Sequence, residues 1–71
     1  MSKSPSVTPK QLIKILEQKG FVFDRAKGSH QIYYHTERKL RVVIPMHNKD
    51  LATGTLHAIL KQAGIDKSEL F

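Results

Sequence analysis

Apolar residues recur at helical spacing in two stretches, one near each end of the chain. The first stripe follows the i, i+3, i+4 pattern of an amphipathic helix and predicts a helix over about residues 9–19. The second stripe predicts a helix that begins near Thr53. The stripes consist of Leu12, Ile15 and Leu16 in the first stretch and of Leu56, Ile59, Leu60 and Ala63 in the second. Each predicted helix therefore has one apolar face to bury.

The residues that flank the two stripes favour helix ends at these positions. Thr8 and Gln11 have the spacing of a capping box, in which each side chain accepts a hydrogen bond from the backbone N–H of the other residue. Gly20 follows the first stripe and Gly64 the second, and glycine readily takes the left-handed conformation that ends many helices. Because the apolar Ile65 follows Gly64, the second helix is expected to end in a Schellman motif.

Outside these patterns lie the two ends of the chain. Residues 1–7 are rich in serine and are predicted to form a disordered lead-in, which leaves residues 8–71 as one domain. Asp66 and Glu69 repeat the capping-box spacing and predict a short final turn that ends in Leu70 and Phe71.

Between the helices the pattern changes to that of β-strands. Residues 21–25 alternate in polarity, residues 31–35 are β-branched and aromatic, and residues 40–44 are largely aliphatic. The connections, a turn at Lys27–Gly28 and a polar reversal at 36–39, are too short for parallel strands and predict an antiparallel meander.

The predicted order of helix, three strands and helix defines an α+β fold of the type α-β-β-β-α. Two apolar helix stripes and one sheet face can share a single core if both helices lie on one face of the three-stranded antiparallel sheet. The other face is then open to solvent or to a partner. Tyr33 and Tyr34 are adjacent on a strand, so one lies in the core and the other on the open face. The tyrosine on the open face can stack on a base or simply pack against its neighbours.

Positive charge is concentrated in the middle of the chain. The whole sequence has 12 Lys and Arg against 6 Asp and Glu, a net charge of +6. Residues 19–49 alone contain seven Lys and Arg against two Asp and Glu, a net charge of +5. A dense basic segment in a small protein favours a polyanionic partner, RNA or DNA before a membrane, although solubility alone also explains it.

Length and composition exclude several classes of protein. With 71 residues the chain buries only about 60% of its unfolded surface, so its stability is expected to be marginal unless a partner protein covers apolar surface. The absence of cysteine excludes disulfides and cysteine-ligated zinc. The longest aliphatic run is Val42–Ile44 and residues 1–10 lack the apolar stretch of a signal peptide, so a cytoplasmic protein is expected.

Histidine is the residue type best suited to chemistry in this chain. The sequence has no phosphate-binding glycine loop, zinc spacing or nucleophile elbow, and no cofactor or metal is expected. His30 follows a turn at the start of a predicted strand, near Arg25 and Lys27, where an imidazole can remove a proton and cations can hold a phosphate. A plain surface histidine remains the alternative. No role is expected for His35 or His57, and His47 is intermediate.

Five short motifs follow one another along the chain at a characteristic order and spacing. They are Gly28-Ser29-His30, Pro45-Met46-His47, Lys49-Asp50-Leu51, Gly54-Thr55-Leu56 and Ile59-Leu60-Lys61-Gln62-Ala63-Gly64. Together they resemble the HicA-type toxins of bacterial type II toxin–antitoxin systems, and the resemblance extends from about residue 8 to residue 70. It implies a fold like that of the double-stranded RNA-binding domain, metal-independent endoribonuclease activity on mRNA, and inhibition by a HicB-type antitoxin. The family's catalytic histidine corresponds to His30.

Given this resemblance, seven residues are candidate RNA contacts. These candidates are Arg25, Lys27, Gly28, Ser29, Arg41, His47 and Lys49. The expected partners are mRNA and the antitoxin, with no membrane and with DNA only through the antitoxin complex. An acidic antitoxin is expected to cover His30. Four candidates can protonate the leaving oxygen: Lys27, Arg25, a phosphate group of the substrate and water.

Two other functions fit the same pattern of elements. A non-catalytic double-stranded RNA-binding module has this element order. Typical modules of this kind bind phosphates with a cluster of lysines at the start of the last helix. This chain has Thr53-Gly54-Thr55-Leu56-His57 there, and Lys61 is the helix's only cation. A purely structural protein that docks a partner on the open sheet face explains the fold and leaves the basic segment to chance.

Overall fold

A computed structural model of the chain describes residues 7–47 and 49–69. The elements in chain order are α1 (Pro9–Gln18), β1 (Phe21–Lys27), β2 (His30–His35), β3 (Leu40–Pro45), α2 (Thr53–Ala63) and a 3₁₀ turn (Lys67–Glu69). This order, with one three-stranded antiparallel sheet, confirms the predicted α+β fold class. None of the described helices is long and apolar enough to cross a bilayer.

The helix ends follow the local sequence closely. At the start of α1, the Thr8 hydroxyl accepts a hydrogen bond from the Gln11 N–H at 3.2 Å, and the Thr8 N–H donates to the Gln11 side chain at 2.9 Å. This is the predicted capping box. At the end of α2, Gly64 is left-handed (φ 70°) and the Ile65 N–H donates to the Leu60 carbonyl at 3.0 Å, which confirms the Schellman motif.

The three strands are longer than the sequence pattern predicts. β1 continues to Lys27, β2 begins at His30, and β3 includes Pro45. The first turn is therefore Gly28-Ser29, one residue later than predicted, and β1 and β2 form a hairpin with a two-residue loop. Pro45 is tolerated because β3 is an edge strand, where a missing N–H interrupts no ladder.

Both helices pack on one face of the sheet, as predicted. The core contains Leu12 and Leu16 of α1, Phe21, Tyr33, Val42 and Ile44 of the sheet, and Leu56, Ile59, Leu60 and Ala63 of α2. Tyr33 is only 5% exposed in this core, whereas its neighbour Tyr34 is half-buried on the opposite face. The two adjacent tyrosines thus lie on opposite faces of the sheet, as expected.

The boundary of the predicted lead-in needs a correction of one residue. Val7, assigned by the sequence to the lead-in over residues 1–7, is buried in the core, and its carbonyl accepts a hydrogen bond from the Leu51 N–H at 2.8 Å. The burial of an apolar side chain and the backbone pairing hold Val7 to the fold. Residues 1–6 of the lead-in, and Leu70 and Phe71 of the final turn, lie outside the described residues.

A β-bulge in β1 changes which residues share a face. Phe23 pairs with Tyr33 and Arg25 pairs with Ile32, so Asp24 is an extra residue without a partner on β2. In a regular strand Arg25 would share the core face with Phe23, because the side-chain period is two. The inserted residue shifts Arg25 and Lys27 to the open face.

Candidate nucleic-acid interface

The face of the sheet that the helices leave uncovered is organised around every second residue of β2. We call it the open face, and its central row is His30, Ile32 and Tyr34. Each of these residues is flanked by one residue from β1 and one from β3. The flanking pairs are Lys27 and Pro45 beside His30, Arg25 and Val43 beside Ile32, and Val22 and Arg41 beside Tyr34.

A groove lies at the His30 end of the open face. It has a volume of about 530 Å³ and is lined by Arg25, Lys27, Gly28, His30, Ile32 and Val43. We call it the His30 groove. Its floor is apolar, because Ile32 is only 7% exposed and Val43 lies beside it on β3. Its rim is basic and polar, since Arg25, Lys27 and His30 are all exposed.

The hairpin loop sets the geometry at the end of this groove. Gly28 has a φ of +59° whereas Ser29 does not have a positive φ, which is the pattern of a type II′ hairpin turn with glycine at its first position. A two-residue loop of this kind fixes the register of the strands it joins. Lys27 is therefore held directly across from His30, as the last pair of the ladder.

The charges of the His30 groove have no acidic counterpart in its lining. The ion pairs between described residues are Lys19–Glu69, between α1 and the final turn, and Arg41–Asp24, in which the Arg41 Nε lies 3.8 Å from the Asp24 carboxylate. Within the described part of the chain, Arg25 and Lys27 thus face the groove without a carboxylate partner. Two cations beside an apolar floor favour an anionic ligand such as a phosphate.

The structure brings three of the seven candidate RNA contacts into the groove with His30: Arg25, Lys27 and Gly28. Ser29 belongs to the adjoining turn, and its carbonyl accepts a hydrogen bond from the Met46 N–H at 2.7 Å. This bond ties the loop after β3 to the hairpin.

The other three candidates lie outside the groove lining. His47 is exposed in the loop after β3, and its Nδ1 accepts a hydrogen bond from the Lys49 N–H at 3.3 Å, so these two residues form one local turn. Arg41 lies at the opposite end of the open face, with its guanidinium 5.0 Å from the centre of the Tyr34 ring. The candidate set is therefore spread over the groove, the loop and the far end of the sheet.

Two groove residues escaped the sequence reasoning. Ile32 and Val43 form the floor but carry no chemical group, so a search for ionisable side chains passes over them. A usable signal was the alternation of β2, which places Ile32 on the same face as His30.

His35 has a structural role that the sequence did not indicate. Its side chain is 7% exposed and packs edge-on against Phe21, with ring centres 5.1 Å apart. The Arg38 N–H donates to Nδ1 at 3.0 Å, so Nε2 carries the proton and donates to the Lys19 carbonyl at 3.1 Å. Both ring nitrogens are used to join α1 to the β2–β3 connection. In residues 7–47 and 49–69, no three His, Asp or Glu side chains are grouped as metal ligands.

Comparison with protein families places the chain among toxins. Residues 9–65 match the family model described as HicA toxin of bacterial toxin–antitoxin. The matched region begins at the first residue of α1 and ends just after α2, so it includes the whole sheet and the His30 groove. A comparison with curated proteins found no similar sequence.

Proposed function

Since this chain belongs to the HicA toxin family, it is a toxin of a bacterial toxin–antitoxin system and has an antitoxin partner, and we propose that it is an endoribonuclease that cleaves mRNA. The observation that supports this activity most directly is the His30 groove. An exposed imidazole lies there beside two cations that have no carboxylate partner among the described residues. This combination suits RNA cleavage, which needs a base and positive charge at one phosphate.

The proposed reaction is an attack of the ribose on its own phosphate. The His30 imidazole removes the proton of the 2′-OH, the 2′-oxygen forms a bond to phosphorus, and the bond from phosphorus to the 5′-oxygen breaks. Lys27 and Arg25 stabilise the charge that develops on the phosphoryl oxygens. Lys27 or a water gives a proton to the leaving 5′-oxygen. The products are a 2′,3′-cyclic phosphate and a 5′-hydroxyl, and no step requires a metal ion.

The other candidate residues would bind the RNA around the scissile phosphate. Gly28 and Ser29 form the turn at the end of the groove, where the absence of a Gly28 side chain leaves the backbone open to a close approach. The bond between Ser29 and Met46 holds the loop of His47 and Lys49 close to this turn. We propose that this loop extends the contact to a neighbouring phosphate.

We further propose that the antitoxin is of the HicB type and that it covers the His30 groove. A protein with acidic groups at this position would neutralise Arg25 and Lys27 and would block RNA at the same time. It would also bury Val43 and Val22, which are exposed on the open face. A structure of the complex in which His30 remains open to solvent would contradict this mode of inhibition. Cleavage of mRNA implies that the toxin acts in the cytoplasm.

The mechanism is tested with a pair of matched RNA oligonucleotides in the presence of EDTA. One is all-ribose, and the other has a single 2′-deoxy nucleotide at the cleavage site. We expect the wild type to cut only the all-ribose strand and to leave a 2′,3′-cyclic phosphate. His30→Ala should be slower by about 100-fold or more, the usual contribution of a general base.

His57→Ala is the matched control, because His57 is exposed on α2 and is not part of the groove lining. It should cleave at the wild-type rate. Cleavage of the 2′-deoxy strand, or an unchanged rate in His30→Ala, would contradict the mechanism. If neither the wild type nor His30→Ala cuts RNA and both bind it equally, the chain is a non-catalytic RNA-binding module.

A further inference from the structure

The two ends of the open face differ in charge and in the kind of side chain that they expose. At one end, Lys27 and His30 face solvent across the hairpin. At the other end, Tyr34 is flanked by Val22, which is 52% exposed, and by Arg41. We call this second end the Tyr34 shelf.

The side chains of the Tyr34 shelf lie in two layers, with the Arg41 guanidinium over the Tyr34 ring. The Arg41 guanidinium lies 5.0 Å from the centre of the Tyr34 ring, and its Nε lies 3.8 Å from the Asp24 carboxylate. The ion pair and the ring together hold the guanidinium in place. The Arg41 side chain is 55% exposed, so the outer side of its guanidinium can stack on a base while the Tyr34 ring supports the inner side.

The charge distribution indicates which part of a nucleotide each end of the open face can bind. Asp24 offsets the charge of Arg41, so the shelf attracts phosphate weakly. Arg25 and Lys27 have no such partner among the described residues, and the groove attracts phosphate strongly. Between the two ends lie the apolar Ile32 and Val43, with Arg25 beside Ile32 on β1. The open face therefore has a site for phosphate, an apolar middle and a site for a base.

The distance between the two ends shows that one nucleotide cannot occupy both. His30 and Tyr34 are four residues apart on β2, which is roughly 13 Å along an extended strand. A base on the Tyr34 shelf thus belongs to a different nucleotide from the one whose phosphate faces His30. Such contact requires a base whose face is free, and a duplex keeps its bases stacked inside the helix.

We propose that the open face binds single-stranded RNA along β2, with the scissile phosphate in the His30 groove and the base of a neighbouring nucleotide stacked on the Tyr34 shelf. This inference rests on the proposed function and adds the substrate class and a base-binding residue. The element that would grip a duplex supports the same conclusion, because the first turn of α2, from Thr53 to Leu56, has no cation. Tyr34 in this account contributes to binding and not to the chemical step.

The test compares Tyr34→Thr with Tyr34→Phe on three RNA substrates. Threonine keeps the preference for a strand and removes the ring, whereas phenylalanine keeps the ring. The substrates are a single-stranded decamer, a hairpin in which the same cleavage site is base-paired, and a dinucleotide that is too short to reach the shelf. Circular dichroism first confirms that both variants are folded.

We expect Tyr34→Thr to raise the KM for the decamer by about 5- to 150-fold, the range that corresponds to the loss of one stacked base, with kcat retained. Tyr34→Phe should behave like the wild type. The wild type and Tyr34→Thr should cleave the dinucleotide equally, and the wild type should cut the decamer much faster than the hairpin. An unchanged KM in Tyr34→Thr, or equal cleavage of decamer and hairpin, would overturn the proposal.

A binding measurement keeps this test independent of catalysis. In the His30→Ala background, fluorescence anisotropy reports the affinity for the labelled decamer even if the chain cleaves no RNA. Weaker binding with Tyr34→Thr supports the stacking site even if the chain has no ribonuclease activity. If Tyr34→Thr leaves RNA affinity unchanged and weakens only the antitoxin complex, the shelf is a protein contact and the proposal is wrong.

Discussion

The histidines at the two ends of β2 have the same side chain and opposite environments. His30 is exposed in a basic groove on the open face, whereas His35 is buried on the core face. They are five residues apart, an odd number, so the alternation of the strand alone places them on opposite faces. His30 has its ring in reach of a ligand, and His35 has both ring nitrogens bound to the backbone. The comparison teaches that position in the pleat and hydrogen-bond partners, and not residue type, separate a candidate base from a structural residue.

The largest effect on stability is expected from the buried member of the pair. His35→Ala removes the ring that packs on Phe21 and leaves the Arg38 N–H and the Lys19 carbonyl without their partner. We expect a loss of about 2–4 kcal/mol in the free energy of unfolding, from the cavity and the unsatisfied backbone groups together. Urea unfolding followed by circular dichroism measures it. A loss as small as that of His57→Ala, an exposed histidine on α2, would contradict the role assigned to His35.

The next largest effect is expected at the glycine beside the His35 ring. Gly20 has a φ of +100°, and a Cβ built there would lie 2.7 Å from the Nε2 of His35, which is held by its bond to Lys19. Gly20→Ala should therefore destabilise the fold by about 1–3 kcal/mol through strain and displacement of the ring. Gly54→Ala is the matched control, because a Cβ there meets nothing within 4 Å and the residue is helical. It should be neutral or slightly stabilising in thermal unfolding.

On the open face, the effect expected of Lys27 is smaller and confined to activity. Lys27→Ala removes the cation directly across from His30, and kcat for RNA cleavage should fall by about tenfold, or ~1.4 kcal/mol in activation free energy. Lys27→Arg keeps the positive charge but cannot give up a proton, so a rate near that of the wild type assigns Lys27 to charge stabilisation and a rate near that of Lys27→Ala assigns it to proton donation. Thermal unfolding should be the same in all three proteins. A fall in RNA affinity with kcat unchanged would assign Lys27 to binding alone.

The smallest effect is expected at the ion pair between Lys19, at the end of α1, and Glu69, in the final 3₁₀ turn. The Lys19 ammonium hydrogen-bonds to Glu69 and lowers the pKa of that carboxyl, and the Asp66 N–H lowers it further. A lowered pKa in the folded state stabilises the fold above the ordinary carboxyl pKa, and this contribution is lost as the pH falls through the lowered value. Glu69→Gln should therefore lower the melting temperature slightly at pH 7 and by less at pH 3. An equal decrease at both pH values would show that charge is not involved.

The contrast between local and long-range interactions also explains what the sequence could predict. The caps of α1 and α2 depend on neighbours within a few residues, so Thr8, Gln11 and Gly64 were sufficient to place them. The fold class followed from the order of elements and the two helix stripes. The exposed position of His30 at a strand start followed from the turn that precedes it.

The features that the sequence could not predict depend on pairing between distant residues. The bulge at Asp24 is defined by how β1 pairs with β2, and a regular alternation would have placed Arg25 on the core face with Phe23. The role of His35 depends on Lys19, which is 16 residues away in the chain. The floor of the groove combines Ile32 and Val43 from two strands. The pairing register of the strands, which composition does not determine, brings these residues together in the His30 groove.

β2 thus has one histidine for the proposed chemistry and one for the structure. The most direct test makes the same substitution at both positions, His30→Phe and His35→Phe, and measures kcat for RNA cleavage and the free energy of unfolding on each protein. Phenylalanine keeps an aromatic ring and removes both ring nitrogens, so hydrogen bonding and proton transfer are lost at both positions.

We expect opposite results for the two variants. His30→Phe should unfold like the wild type and lose cleavage by about 100-fold or more. His35→Phe should be less stable by about 1–3 kcal/mol, from the unpaired backbone groups, and should keep the wild-type kcat at a temperature where it is folded. Full activity in His30→Phe, or loss of activity in a folded and stable His35→Phe, would contradict the claim.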